Sequence, residues 1–153
     1  MFGLVKTLKV ERILYYSKQE IYEIVKDIDK YKEFVPGIKE SRIFSSKPIK
    51  AELVFGLKGI ESRFISNVIL EPHHTISATS YSLDAIGNLG FKTLQSSWKF
   101  TPKQGKTLVK LEIQLEFNNF LVAQVTGMMM DNNVEGILNA FEKRAQKLYS
   151  KKH

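Results

Sequence analysis

Leu111, Ile113, Leu115 and Phe117 alternate with Glu112, Gln114 and Glu116, which is the period-two pattern of a strand with one face buried. Similar alternation places Ile49, Ala51, Leu53, Phe55 and Leu57 on one face of 49–57, and Ile60, Phe64, Val68 and Leu70 on one face of 60–71. Residues 94–101 repeat it with Leu94, Trp98 and Phe100, while 74–83 and 5–16 are rich in β-formers. Ser17 and Glu20 stand three apart as a capping box and open a helix with Ile21, Tyr22, Val25 and Ile28 on one side. A second short helix, from Asp29 to about Phe34, is stopped by Pro36. A long helix is predicted from about Asn119 to Ser150, with Met130, Val134, Ile137, Leu138, Phe141, Ala145 and Leu148 along one stripe. The order is one strand, two short helices, about six antiparallel strands and one long helix. That is an α+β domain with its helices on one face of an antiparallel sheet.

Two features depart from plain patterning. The first half of the long helix carries a second apolar set, Leu121, Val122, Val125, Met128 and Met129, on the side opposite the stripe. An outward apolar face on a helix serves a membrane surface or a protein partner such as a second copy of the chain; the alternative is a helix that begins later than the pattern suggests. The other feature is small residues on inward faces. Ser62, Ser66 and Ser96 share faces with Phe64, Trp98 and Phe100, while Ala78, Ser80 and Ser82 share one with Ile76. Ala123 and Gly127 of the helix would face them. Small side chains on both layers leave either an apolar cavity with a few hydroxyls, as in small-molecule sites, or a close helix–sheet approach with the serines bonded to backbone.

With 153 residues the chain is long enough for one domain with a real core. A net charge of +7, with 23 Lys and Arg against 16 Asp and Glu, favours an anionic partner without choosing among nucleic acid, membrane and protein. There is no cysteine, so disulfide and thiolate chemistry are excluded. No apolar run approaches the roughly 18 residues of a membrane span. The first residues read as strand rather than as a signal peptide. His73 and His74 follow Pro72 in a turn, with no acid or cysteine at ligand spacing, so no metal is expected. Nucleophile-elbow, phosphate-loop and dinucleotide motifs are missing, and the strand acids Glu52, Glu61 and Glu71 sit on polar faces. Binding is therefore expected rather than catalysis, with no catalytic residue and no cofactor.

Four segments carry a resemblance: "YKEFVP" (31–36), "AELVFGLKGIESRFISNV" (51–68), "FKTLQSSWKF" (91–100) and "AFEKRAQKLY" (140–149). In this order, and over nearly the whole chain, they resemble the coenzyme Q-binding proteins of the polyketide cyclase/START-like superfamily. The resemblance implies a helix-grip (START-like, Bet v 1-like) fold, a curved antiparallel sheet of about 6–7 strands around a long C-terminal helix and an apolar tunnel. It further implies ubiquinone as bound ligand. The expected role is that of a lipid chaperone or carrier supporting respiration and quinone biosynthesis, peripheral to the matrix side of the mitochondrial inner membrane. Phe55, Phe64, Ser66, Trp98, Phe100, Ile113, Gly127, Met130, Val134, Ile137 and Phe141 are then the tunnel-wall candidates. Leu121, Val122, Val125, Met128 and Met129 would meet an anionic membrane surface or a homodimer partner, and Lys58 a headgroup. No nucleic acid is expected on this reading; the alternative is a ribosome- or RNA-associated protein of the bacterial branch. The triple methionine and the Asn132–Asn133 pair stand outside the resemblance.

Overall fold

The computed structural model describes residues 4–57, 60–82 and 91–149; within these, the side chains at 57, 60, 82, 91, 122 and 125–132 lie outside the description. The elements run β1 (Val5–Leu14), α1 (Lys18–Lys26), a 3-10 turn (Ile28–Lys30), α2 (Tyr31–Phe34), β2 (Ile38–Ser46), β3 (Ile49–Leu57), β4 (Ile60–Glu71), β5 (Thr75–Ser82), β6 (Phe91–Lys103), β7 (Lys106–Phe117) and α3 (Phe120–Tyr149). All seven strands pair antiparallel in the order β1-β7-β6-β5-β4-β3-β2, forming a curved sheet with the helices on its concave face. This is the helix-grip architecture. The sequence pattern had not placed β2, and β6 runs longer than 94–101 at both ends.

Local chemistry sets the boundaries. The Ser17 hydroxyl accepts from Glu20 N at 3.1 Å and the Glu20 carboxylate accepts from Ser17 N at 2.9 Å, so the capping box holds both ends of the first turn of α1. Val35, ahead of Pro36, is extended and ends α2, as the ring of a following proline requires. Gly37 then adopts φ +84°, and a Cβ there would come within 2.7 Å of the Phe55 ring. Only glycine accepts both the left-handed backbone and that approach.

β2 is an edge strand, and its outer hydrogen-bonding groups are taken up by the segment before it. Asp29 accepts from Ile43 N at 2.6 Å. The Ser41 hydroxyl bridges Lys32 N and Asp29 O, each at 3.1 Å. Covering an edge in this way blocks pairing with foreign strands, and here it also anchors α2 against the sheet. On the opposite edge Arg12 of β1 reaches α3, donating to Asn139 at 2.6 Å, Glu135 at 2.8 Å and Glu142 at 3.1 Å. A planar guanidinium satisfies several acceptors at once, which fixes the helix across the sheet. The core between them is built from Leu14, Ile21, Val25, Phe64, Phe100, Val109, Leu115, Leu138 and Ala145, all nearly inaccessible. Leu138, Phe141 and Ala145 keep the predicted stripe, whereas Leu148 at its end is 52% exposed.

Candidate functional site

Cross-strand register turns the inward residues into continuous rows. Ala51, Ser66, Ser80 and Leu94 follow one another across β3 to β6, and the next row runs Ile49, Val68, Ala78, Ser96 and Ile113. The centre of the sheet is thus paved with alanine and serine. Beside it, and sharing Leu94, Ser96 and Ile113, lies an apolar cavity of about 130 Å³. Its floor is Leu53 and Phe55 of β3, Phe64 of β4, Leu94, Ser96 and Trp98 of β6 and Leu111, Ile113 and Leu115 of β7. Ile137 and Phe141 of α3 form the roof, and Tyr31, Val35, Pro36 and Ile38 form a side wall.

Phe141 is the hub of the wall. Its ring centroid lies 4.7 Å from Trp98, 5.0 Å from Phe34 and 5.4 Å from Tyr31, all in edge-to-face arrangements. Such pairs are each worth about 0.5–1.5 kcal/mol beyond burial, so the aromatic wall is rigid. The Tyr31 hydroxyl donates to the Val25 carbonyl, and burial, with Asp27 nearby, raises its pKa far above the usual phenol value. It stays neutral at any physiological pH. The cavity lining described contains no acid, no amine and no imidazole.

Six of the predicted wall residues, Phe55, Phe64, Trp98, Ile113, Ile137 and Phe141, meet around this cavity. Phe100 does not border it: it is buried beyond Trp98 and packs edge-on to Tyr22 at 6.1 Å. Val134 is half-buried against the core outside the lining. Ser66 is buried, and its hydroxyl donates to the Ala51 carbonyl at 3.3 Å, which is the backbone-bonded state foreseen as the alternative to a site. Ser62 differs. It is 1% exposed, sits opposite Phe55 in register, and its hydroxyl has no hydrogen-bond partner among the described residues. The side chains of Gly127, Met130, Val122, Val125, Met128 and Met129, and residue Lys58, lie outside the described residues. Leu121 is 71% exposed and its neighbour Phe120 59%. The side wall from α2 and its exit was missed. Its signal was Tyr31, Val35 and Pro36 in "YKEFVP", apolar residues at a helix stop with no partner yet assigned.

The model for Polyketide cyclase / dehydrase and lipid transport proteins matches residues 14–142, most of the chain. The chain belongs to this family. Among its relatives, the mitochondrial coenzyme Q-binding protein COQ10 homolog B of Xenopus laevis is 28% identical over 146 residues, covering 92% of this chain but 58% of that protein. The chain thus spans little more than half the length of that relative. The ribosome association toxin RatA of Rickettsia prowazekii is 30% identical over 141 residues, covering 90% of this chain and 94% of its own. In structure, a START superfamily protein from Mycobacterium smegmatis superposes with a TM-score of 0.75 at 18% identity, over 93% of this chain and 98% of the other. That likeness establishes the fold. Within the family, lipid transport and cyclase chemistry share this architecture, so function rests on what lines the cavity.

Proposed function

We propose that this family member binds a ubiquinone-class lipid without transforming it, as a chaperone or carrier acting in respiration and quinone biosynthesis. The observation that carries this reading is the apolar cavity walled by Phe55, Phe64, Trp98 and Phe141. Flat aromatic walls suit a planar ring, and Ser96 brings a hydroxyl into the lining beside them. The absence of titratable groups from the described lining, apart from a neutral and already bonded Tyr31, supports binding over acid–base chemistry. Similarity to the coenzyme Q-binding relative supports ubiquinone as the ligand class and a mitochondrial setting. No helix among the described residues is long and apolar enough to cross a membrane. Collection of a bilayer lipid would then use peripheral contact on the matrix side of the inner membrane, through the apolar start of α3 and the basic surface. Lipid extraction and mass spectrometry of natively purified protein test the proposal. Ubiquinone or its precursors should co-purify, and recovery of no lipid together with no uptake of added ubiquinone would refute it.

A second reading is ribosome association, supported by similarity to the bacterial toxin and by one structural observation. On the exposed face of β6 and β7, Lys99 stands directly opposite Lys110 and Lys103 opposite Lys106, with Glu11 facing Lys110 from β1. Like charges opposed across strands cost stability and concentrate positive field where a phosphate backbone would lie. Co-sedimentation with ribosomes that survives moderate salt would favour it over the lipid reading.

A further inference from the structure

The inner cavity is too small for the whole of the ligand class proposed for it. At about 130 Å³ it approaches the roughly 150 Å³ apolar cavity that accommodates a single benzene. A polyprenyl quinone carries a long apolar tail in addition to its ring, and that tail needs its own apolar surface. The concave face offers a second void, a cleft of about 560 Å³ over the far ends of β3 and β4. Its floor includes Ile49, Val68 and Leu70, and its walls include Ile24 of α1 and Leu148 of α3.

Register joins the two voids. The row of Ile49 and Val68 continues through Ala78 to Ser96 and Ile113, and that of Leu70 continues through Ile76 to Trp98 and Leu111. Between them stand two aromatic contacts: Phe34 borders the cleft, Phe141 and Tyr31 border the cavity, and the Phe34 centroid lies 5.0 Å from Phe141 and 6.1 Å from Tyr31. Phe34 ends the short α2 and is half-buried, with the Arg144 guanidinium 5.0 Å over its ring. The charges at the cleft mouth are largely paired already, Lys26 with Glu23 at 3.0 Å, and Arg144 and Lys30 with Glu33 at 3.1 Å and 3.6 Å. An apolar floor below a self-neutralised rim suits an uncharged chain rather than an anionic head.

The geometry points to this cleft as the tail channel: the quinone ring occupies the inner cavity, and its isoprenoid tail runs past a rotated Phe34 side chain along Ile49, Val68 and Leu70. The assignment rests on the lipid reading above and extends it to a second site. It is tested by titrating the purified chain with ubiquinone analogues of short and long tail, using wild type, Ser46→Trp and Leu148→Asp. Both positions border the cleft at its surface and are exposed, so the fold should be unaffected, which a thermal melt verifies. The long-tailed analogue should bind about tenfold or more weakly to both variants, because several buried methylenes are lost. The short-tailed analogue should bind all three proteins alike. Unchanged long-tail affinity in both variants overturns the channel and leaves ring binding intact, whereas equal loss for short and long tails overturns the channel by showing that the variants disturb the ring site. Wild-type protein that binds neither analogue overturns the lipid reading itself.

Discussion

Filling the inner cavity from the sheet separates a binding void from a merely imperfect core. Ser96 lines the cavity from β6, lies between Ala78 and Ile113 in register and is only half-buried. Ser96→Phe delivers one phenyl ring into a space of about 130 Å³, close to the roughly 150 Å³ that holds benzene. At about 24 cal/mol per Å³ of cavity removed, complete filling would contribute at most about 3 kcal/mol. Imperfect rotamers and small backbone shifts would cost about 1–3 kcal/mol of that. The expected net effect is therefore between no change and about 2 kcal/mol of added stability, or up to about 6 °C in melting temperature for a domain of this size. Urea and thermal melts measure the stability, and titration with a short-tailed ubiquinone measures the binding. Binding should be abolished while the fold is retained or strengthened. A variant that loses more than about 2 kcal/mol would show the space to be already filled. One that folds normally and still binds quinone would place the ligand elsewhere. Either result refutes the reasoning.

Ser62→Ala should leave stability unchanged or slightly raised, since it removes a buried hydroxyl that has no partner among the described residues. Because Ser62 lies outside the cavity lining, ubiquinone affinity should hold within about twofold, and a loss of about tenfold or more would place the ligand against the start of β4 instead. At the start of α3, replacing exposed Phe120 and Leu121 with serine should shift stability by less than about 0.5 kcal/mol yet reduce flotation with vesicles containing anionic lipid. Unaltered flotation would reject membrane contact there, and a wild-type melting temperature whose concentration dependence disappears in the mutant would assign the patch to a homodimer. Glu33 responds to acid in a defined direction. Glu33 is exposed, and its slight desolvation, which raises the pKa, is outweighed by the Arg144 hydrogen bond and the charges of Lys30 and Arg144, which hold it below the ordinary value. Its folded pKa being depressed, the stability it contributes is present above the ordinary carboxylate range and is lost as pH falls through the lowered value. Glu33→Gln should accordingly flatten the acid limb of the urea midpoint against pH, and an acid limb parallel to wild type would remove Glu33 from that account.

Much of the architecture follows from interactions within a few residues, and these the sequence determines alone. Ser17 with Glu20 starts α1, Pro36 ends α2, and alternation from Leu111 to Phe117 orients β7, because caps, φ restrictions and side-chain period act locally. The family resemblance likewise rested on short contiguous segments, of which 51–68 spans β3 and β4. What periodicity leaves open is depth and partnership. Ser62 and Ser66 sit four residues apart on the same inward face, either side of Phe64, and read identically in sequence. Ser66 meets a carbonyl across the strand and Ser62 meets no partner among the described residues, because their neighbours on β3 come in a register that no local signal specifies. Phe100 continues the face of Trp98, yet α1 and Tyr22 cover it and take it out of the cavity. Leu148 continues the stripe of Leu138, Phe141 and Ala145, yet it is half-exposed at the mouth of the cleft. The side wall of Tyr31, Val35 and Pro36 became part of a site only when Asp29 and Ser41 tied α2 to the edge of β2. Which inward residues surround a void, and which merely fill the core, is decided by how seven strands curve beneath one helix. That curvature is a property of the assembled sheet, since it depends on the contacts of every strand with its neighbours and on the helices laid across them.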